Sequence, residues 1–207
     1  MKKMLSVFLA LTLMLSLAAC GSNSAPETVT TEPSASAEVP ASALEILENT
    51  WANFSEEEKF AIYGGAFETH VARMSGDEAY QPASQPENYD MAYAQGLSYS
   101  LYIPVESVAS VEEAATMTHM MNANTFSAGV IRLNADTDVQ ALGDTMKDVL
   151  MNNMWFCGAP EQLLIAVVGS DYMVIGFGVN DAMNSFVTHF AEAYPAAQIL
   201  YNEPITN

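Results

Sequence analysis

Cysteine is nearly absent from this chain: there are 2 in 207 residues, at positions 20 and 157. A disulfide framework is therefore excluded, and the fold must be held by an apolar core. Basic side chains are almost as scarce, 6 Lys+Arg against 25 Asp+Glu, for a net charge of −19. A surface of that sign repels phosphate backbones and anionic leaflets, which excludes nucleic acid as a partner held by charge. Long apolar runs are missing after residue 20, so nothing there could span a bilayer. What remains is 50% hydrophobic and 10% aromatic, the composition of a globular chain.

The one apolar run lies at the start. Residues 1–20, MKKMLSVFLALTLMLSLAAC, place Lys2 and Lys3 before an uncharged stretch from Met4 to Leu17, followed by Ala18, Ala19 and Cys20. This has the layout of a secretory signal, too short and wrongly flanked for a spanning helix. Leu17-Ala18-Ala19-Cys20 resembles the bacterial lipobox, at which cleavage precedes a cysteine whose thiol carries the lipid. Lipidation is thus expected at Cys20, with residues 1–19 as signal peptide and the chain held through that lipid on the outer face of the cell membrane. Cleavage would also remove Lys2 and Lys3, leaving 4 basic against 25 acidic side chains, a net charge of −21. Attachment would then rest on the lipid rather than on charge.

Residues 20–43 continue as the lipidated cysteine and a tether of Gly, Ser, Ala, Pro, Thr and Glu, with too little apolar area to offset its chain entropy. As a flexible coil it would reach on the order of 25 Å. Residues 44–207 have the size of one domain and contain no second low-complexity linker.

Ser42 with Glu45 forms a capping-box pattern, and Leu44, Leu47, Trp51 and Phe54 share one helical stripe. A second box, Ser55 with Glu58, predicts a short helix ended by Gly64-Gly65. Residues 66–87 read as loop, and 88–101 as a helix stopped by Pro104. The stretch 114–121 is taken as a strand, although Ser110 with Glu113 could equally cap a helix there. SAGVIRLN at 127–134 is β-rich, and Thr137 with Gln140 predicts the cap of a helix carrying Val139, Leu142, Met146, Val149 and Leu150. Two apolar strands in 162–180 meet at Gly169-Ser170-Asp171, which is hairpin chemistry. A helix from Asp181 with Met183, Phe186, Val187, Phe190 and Tyr194 inward ends before Pro195. The expected fold is α+β, a two-layer sandwich with an antiparallel sheet of about four strands in a β-β-α-β-β-α core and helices at its N-terminal end. LLIAVV at 163–168 lacks alternation, as a central strand covered on both faces would.

The lipobox, the acidic tether, the Tyr102-Ile103-Pro104 helix exit, Trp155 and Pro160-Glu161-Gln162 before the hairpin together resemble a family of small lipoproteins of Gram-positive anaerobes that carry a domain of unknown function. The resemblance covers residues 88–193. It implies secretion, a lipid anchor and an unassigned activity, and it brings no functional residues.

Several groups invite a chemical reading. On a strand, Met117, His119 and Met121 would share a face and offer soft ligands for copper, with Met151 and Met154 nearby in sequence; methionine also fills irregular cores, and cleavage leaves ten of them spread along the chain. Asn134, Asp136 and Asp138 imitate the opening of a calcium loop, but Val139 and Thr145 stand where its Gly and Glu belong. Trp155-Phe156-Cys157-Gly158 is similar in outline to a thioredoxin site without its resolving cysteine, so Cys157 reads as a small, partly buried thiol. His70, His119 and His189 lie far apart, His189 on the polar side of its helix, and Gly169-Ser170-Asp171 is no strand-to-helix elbow. The chain is therefore expected to be a non-catalytic binding or interaction domain, without cofactor, for a protein, cell-wall or small-molecule ligand. A metal-handling lipoprotein for copper or calcium is the alternative, and a hydrolase with its site in 60–87 a weaker one.

Overall fold

The computed structural model describes residues 40–66, 71–73 and 91–206. The signal, Cys20, His70 and almost all of the expected 66–87 loop lie outside these residues, as does most of the tether.

Helix α1 (Ala43–Ala52) begins as its sequence dictates. Ser42 Oγ accepts from the Glu45 N–H at 3.1 Å, and the Glu45 carboxylate accepts from the Ala41 N–H at 2.7 Å. A third partner comes from far along the chain: Glu113 Oε1 accepts from the Ala43 N–H at 2.9 Å, which places a carboxylate at the positive end of the helix. The Ser55–Glu58 box also forms, with the Ser55 N–H and Oγ on Glu58 Oε2 at 2.9 and 2.8 Å. It closes a single turn and not the expected helix, because the chain goes directly into strand β1 (Ile62–Ala66). Gly64-Gly65 lies inside that strand, where a Cβ on Gly64 would stand 2.2 Å from the Thr116 carbonyl oxygen of the neighbouring strand.

After a short strand β2 (Val71–Arg73) come α2 (Met91–Leu101), a 3-10 turn (Val105–Ser110), β3 (Val111–His119) and β4 (Phe126–Leu133). Then follow α3 (Val139–Met151), the hairpin β5 (Gln162–Val168) and β6 (Tyr172–Gly178), α4 (Asn180–Ala193) and β7 (Gln198–Pro204). Asp138, not Thr137, caps α3: its carboxylate accepts from the Ala141 N–H at 3.0 Å, while Thr137 Oγ1 donates to Asn134 at 2.7 Å.

The strands form an open antiparallel sheet in the order β1-β3-β4-β6-β5-β7, with the three-residue β2 on the outer edge of β1. The α+β class holds, but the sheet exceeds the four strands expected from sequence, because β1 and β7 join its two ends.

The layering also differs from the expected sandwich of two. Phe126, Ala128 and Val130 of β4, Leu164, Ala166 and Val168 of β5, and Val174 of β6 point to α1 and α4, where they meet Leu47, Met183, Phe186 and Phe190. Their neighbours Ile131, Leu163, Ile165, Met173, Ile175 and Phe177 point the other way, to Leu97 and Leu101 of α2 and Leu142, Met146 and Leu150 of α3. The sheet is thus the middle of three layers, because strands apolar on both faces need a helical cover on each. Glycine permits the close approach of each cover. A Cβ on Gly129 would lie 2.4 Å from Leu101 Cδ2, and one on Gly176 would lie 3.2 Å from both Met183 Cε and the Phe186 ring.

Candidate functional site

Among the described residues, the α2/α3 layer does not cover its whole face of the sheet. In the gap lies a cavity of about 210 Å³ between the C-terminal end of α2 and the strands beneath it. Its floor is one row across the sheet: Tyr63 of β1 pairs with Thr118 of β3, Thr118 with Ser127 of β4, and Ser127 with Phe177 of β6. The next row runs Gly65, Thr116, Gly129, and the missing side chain of Gly129 admits Leu101 of α2. Tyr99, Ser100 and Tyr102 form the roof, and Asn124 of the β3–β4 turn closes one end. Among the described residues no carboxylate, ammonium, guanidinium or imidazole lines the space.

The roof owes its position to an unusual helix end. Tyr102 follows the last residue of α2 with φ of 57°, the left-handed conformation that a helix usually gives to glycine. Such a backbone costs on the order of 1–3 kcal/mol and persists only where packing over-determines it. That packing is an aromatic trio, with the Tyr102 ring edge-on to Trp155 at 5.1 Å and to Phe177 at 5.4 Å, and Trp155 tilted on Phe177 at 5.7 Å. Burial raises the Tyr102 pKa, against a hydrogen bond from Asn153. Behind the same wall, the Trp155 Nε1–H is buried without a hydrogen-bond acceptor among the described residues. At the mouth, Tyr99 is 86% exposed, although a ring of that size is normally half covered.

Two asparagines fix the end of the cavity. Asn122 Nδ2 donates to the Cys157 carbonyl at 3.0 Å, and Asn124 Nδ2 donates to the carbonyls of Phe156 and Gly158 at 2.7 Å each. The loop after α3 is thereby tied to the β3–β4 turn. Cys157, expected to be partly buried, is exposed in this loop at φ of 64°.

The soft-metal candidates do not converge. Met117 is fully buried in the α1/α4 core, strand β3 ends at His119, and Met121 is 82% exposed. His119 Nδ1 accepts from the backbone N–H groups of Met121 and Asn122 at 3.2 and 3.3 Å, and its ring packs on Phe60. The ring caps a turn that swings Met121 off the face it would share with Met117. Met154 is exposed beyond α3. At the calcium candidates, Asn134 Oδ1 is taken by Thr137 and the Asp138 carboxylate by the α3 cap. Among the described residues no group of three His, Cys, Asp or Glu side chains stands close enough to hold a metal ion.

His189 is not the solvated side chain expected from its helix face. Its ring is largely buried, with Nδ1 2.9 Å from Glu192 and Nε2 3.1 Å from Glu58. Burial opposes the charged ring, yet the hydrogen bonds and charges of Glu192 and Glu58 outweigh it and raise the pKa. The Ser55 N–H and hydroxyl, then Ser185 and His189, hold the Glu58 carboxyl down at about 2. Ser185 Oγ donates to Glu58 at 2.9 Å and not to His189, so this trio lacks the serine-to-histidine hydrogen bond that activates a nucleophile. It is a clamp between α4 and the turn after α1.

Three cations of the acidic surface are paired. Lys59 pairs with Glu56, Arg132 with Glu112 and Glu113, and Lys147 with Glu203. No helix among the described residues is long and apolar enough to cross a membrane.

Sequence reasoning singled out Tyr102 as a helix exit but missed Tyr63, Tyr99, Thr118 and Ser127 as parts of one site. They lie on four elements, and only the strand registers bring them together. Compared with known proteins, the chain matches no family model, no curated protein and no solved structure.

Proposed function

We propose that this chain is an extracellular lipoprotein, anchored to the outer face of the cell membrane through lipid on Cys20, whose domain binds a small ligand without transforming it. The observation that carries the reading is the cavity between α2 and the sheet, walled by aromatic rings and hydroxyls, with no carboxylate, amine, guanidine or imidazole among the described residues that line it. Such a wall offers shape, stacking and hydrogen bonds, the means of recognition, but no proton donor or acceptor suited to catalysis near neutral pH. The N-terminal signal, lipobox and tether support the anchor, and the resemblance of residues 88–193 to lipoproteins of Gram-positive anaerobes belongs to the same reading.

Two experiments test it. Cys20→Ala is expected to move the protein from the membrane fraction to the medium, and unchanged membrane retention would refute the anchor. Native mass spectrometry of the full-length chain, purified without chelator, is expected to show an organic mass that is lost when Thr118→Trp fills the cavity. A bare chain in both, or a retained metal ion, would count against the cavity as the binding site.

A further inference from the structure

Granting that the cavity is the ligand site, its chemistry narrows the ligand, and we infer that it takes a single neutral, polyhydroxylated six-membered ring, the sugar unit of an uncharged glycan. Size comes first. A cavity of about 210 Å³ exceeds the roughly 150 Å³ of an engineered cavity that admits benzene and holds one substituted ring.

Charge comes next. An ionised ligand entering this space would lose water and find no counter-ion among the described lining residues to offset that cost. An anion is further opposed by the surplus of 25 acidic over 6 basic side chains.

The arrangement of the wall then separates a sugar from a flat aromatic molecule. The floor row runs aromatic, hydroxyl, hydroxyl, aromatic through Tyr63, Thr118, Ser127 and Phe177. Ser127 and Phe177 are 1% exposed and only back the site, so it is the Tyr63 ring, 42% exposed, that suits the C–H face of a saccharide, and the half-buried Thr118 hydroxyl that suits its O–H groups, since it can both donate and accept. The Ser127 O–H donates to the Ala123 carbonyl at 3.0 Å, and its oxygen stands 3.4 Å from Thr118 Oγ1, a longer contact that a ligand hydroxyl can replace. A wholly aromatic guest would leave the Thr118 hydroxyl only its 3.4 Å contact with Ser127. Tyr99 at the mouth supplies the exposed ring on which the next unit of a chain would stack.

The test is ligand-observed saturation-transfer NMR on the full-length chain in a detergent without a sugar headgroup. The probes are D-glucose, D-galactose and N-acetyl-D-glucosamine, with tetramethylammonium and indole beside them. Tyr99→Ala alters an exposed side chain and Thr118→Val keeps the β-branched shape, so both variants are expected to fold. At least one sugar is expected to bind, unaffected by added salt, and each variant to weaken it about three- to tenfold. Binding of tetramethylammonium or indole alone, lost in Tyr99→Ala, would keep the site and overturn the sugar. No binding by any probe, or binding indifferent to both variants, would overturn the cavity as a ligand site and the sugar with it.

Discussion

Gly129→Ala tests how the roof of the cavity is held. The added methyl carbon would lie 2.4 Å from Leu101 Cδ2, 2.5 Å from Cδ1 and 3.0 Å from Cγ. Leu101 is fully buried and is the last residue of α2, so its side chain cannot swing into solvent. The helix end must lift or the side chain must leave its rotamer, an overpacking cost of about 1–3 kcal/mol. For a domain of this size each kcal/mol moves Tm by about 2–4 °C, so scanning calorimetry should show a fall of roughly 2–12 °C. Tyr102 follows Leu101 directly, so tryptophan emission from Trp155, which packs on it, should change as well. Gly143→Ala is the control of opposite sign. Its methyl would press on the tip of Leu200 at 2.9 Å, on the half-exposed edge strand, and lie at ordinary contact distance from Ile165 and Met173, while alanine is favoured over glycine inside α3 by about 1 kcal/mol. That variant should hold or raise Tm. A Gly129→Ala protein as stable as the parent would refute the packing of α2 described above.

The His189 clamp should give stability a pH dependence of fixed sign. The raised His189 pKa contributes stability fully present below about 6.5 and lost as pH rises through the folded value. The Glu58 pKa, lowered to about 2, contributes above about 4.5 and is lost as pH falls toward 2. The Tm gap between the parent and His189→Gln should therefore be widest near pH 5–6 and shrink above pH 7; a gap constant from pH 5 to 9 would contradict the clamp. Cys157, exposed in its loop, should react with a thiol reagent in the native protein as fast as in urea, and protection that urea removes would place it in the interior. Asn124→Ala removes the amide that binds two loop carbonyls, so amide hydrogen exchange should quicken across 154–160 while β5 and β6 keep their protection. Unchanged exchange in that loop would show that the asparagine does not tether it.

The most apolar elements were the most legible. LLIAVV at 163–168 and the Gly169-Ser170-Asp171 turn define the central hairpin, because two-sided burial leaves an unbroken hydrophobic run. That same run demanded cover on both faces, which a sandwich of two layers does not provide; the structure meets the demand with α1 and α4 on one side and α2 and α3 on the other. Strand β7 was illegible for the opposite reason. As an edge strand it stays largely exposed and shows no period of two. Gly64-Gly65 reads as a helix stop from sequence alone, whereas Gly64 is needed because β1 passes against the Thr116 carbonyl, a contact 52 residues further along the chain. The partner of His189 was hidden in the same way, since Glu58 lies 131 residues away. The cavity shows the general difficulty: Tyr, Thr and Ser are common surface residues, and only the register of four strands makes Tyr63, Thr118, Ser127 and Phe177 a single row.

The most direct test of the account is an amide chemical-shift map of the chain titrated with the sugar that binds best. The account predicts shifts confined to residues 99–102, 116–118, 123–127 and 177, with the α1/α4 face silent. Shifts centred on the acidic surface or the His189 clamp, or none at saturating sugar, would contradict it.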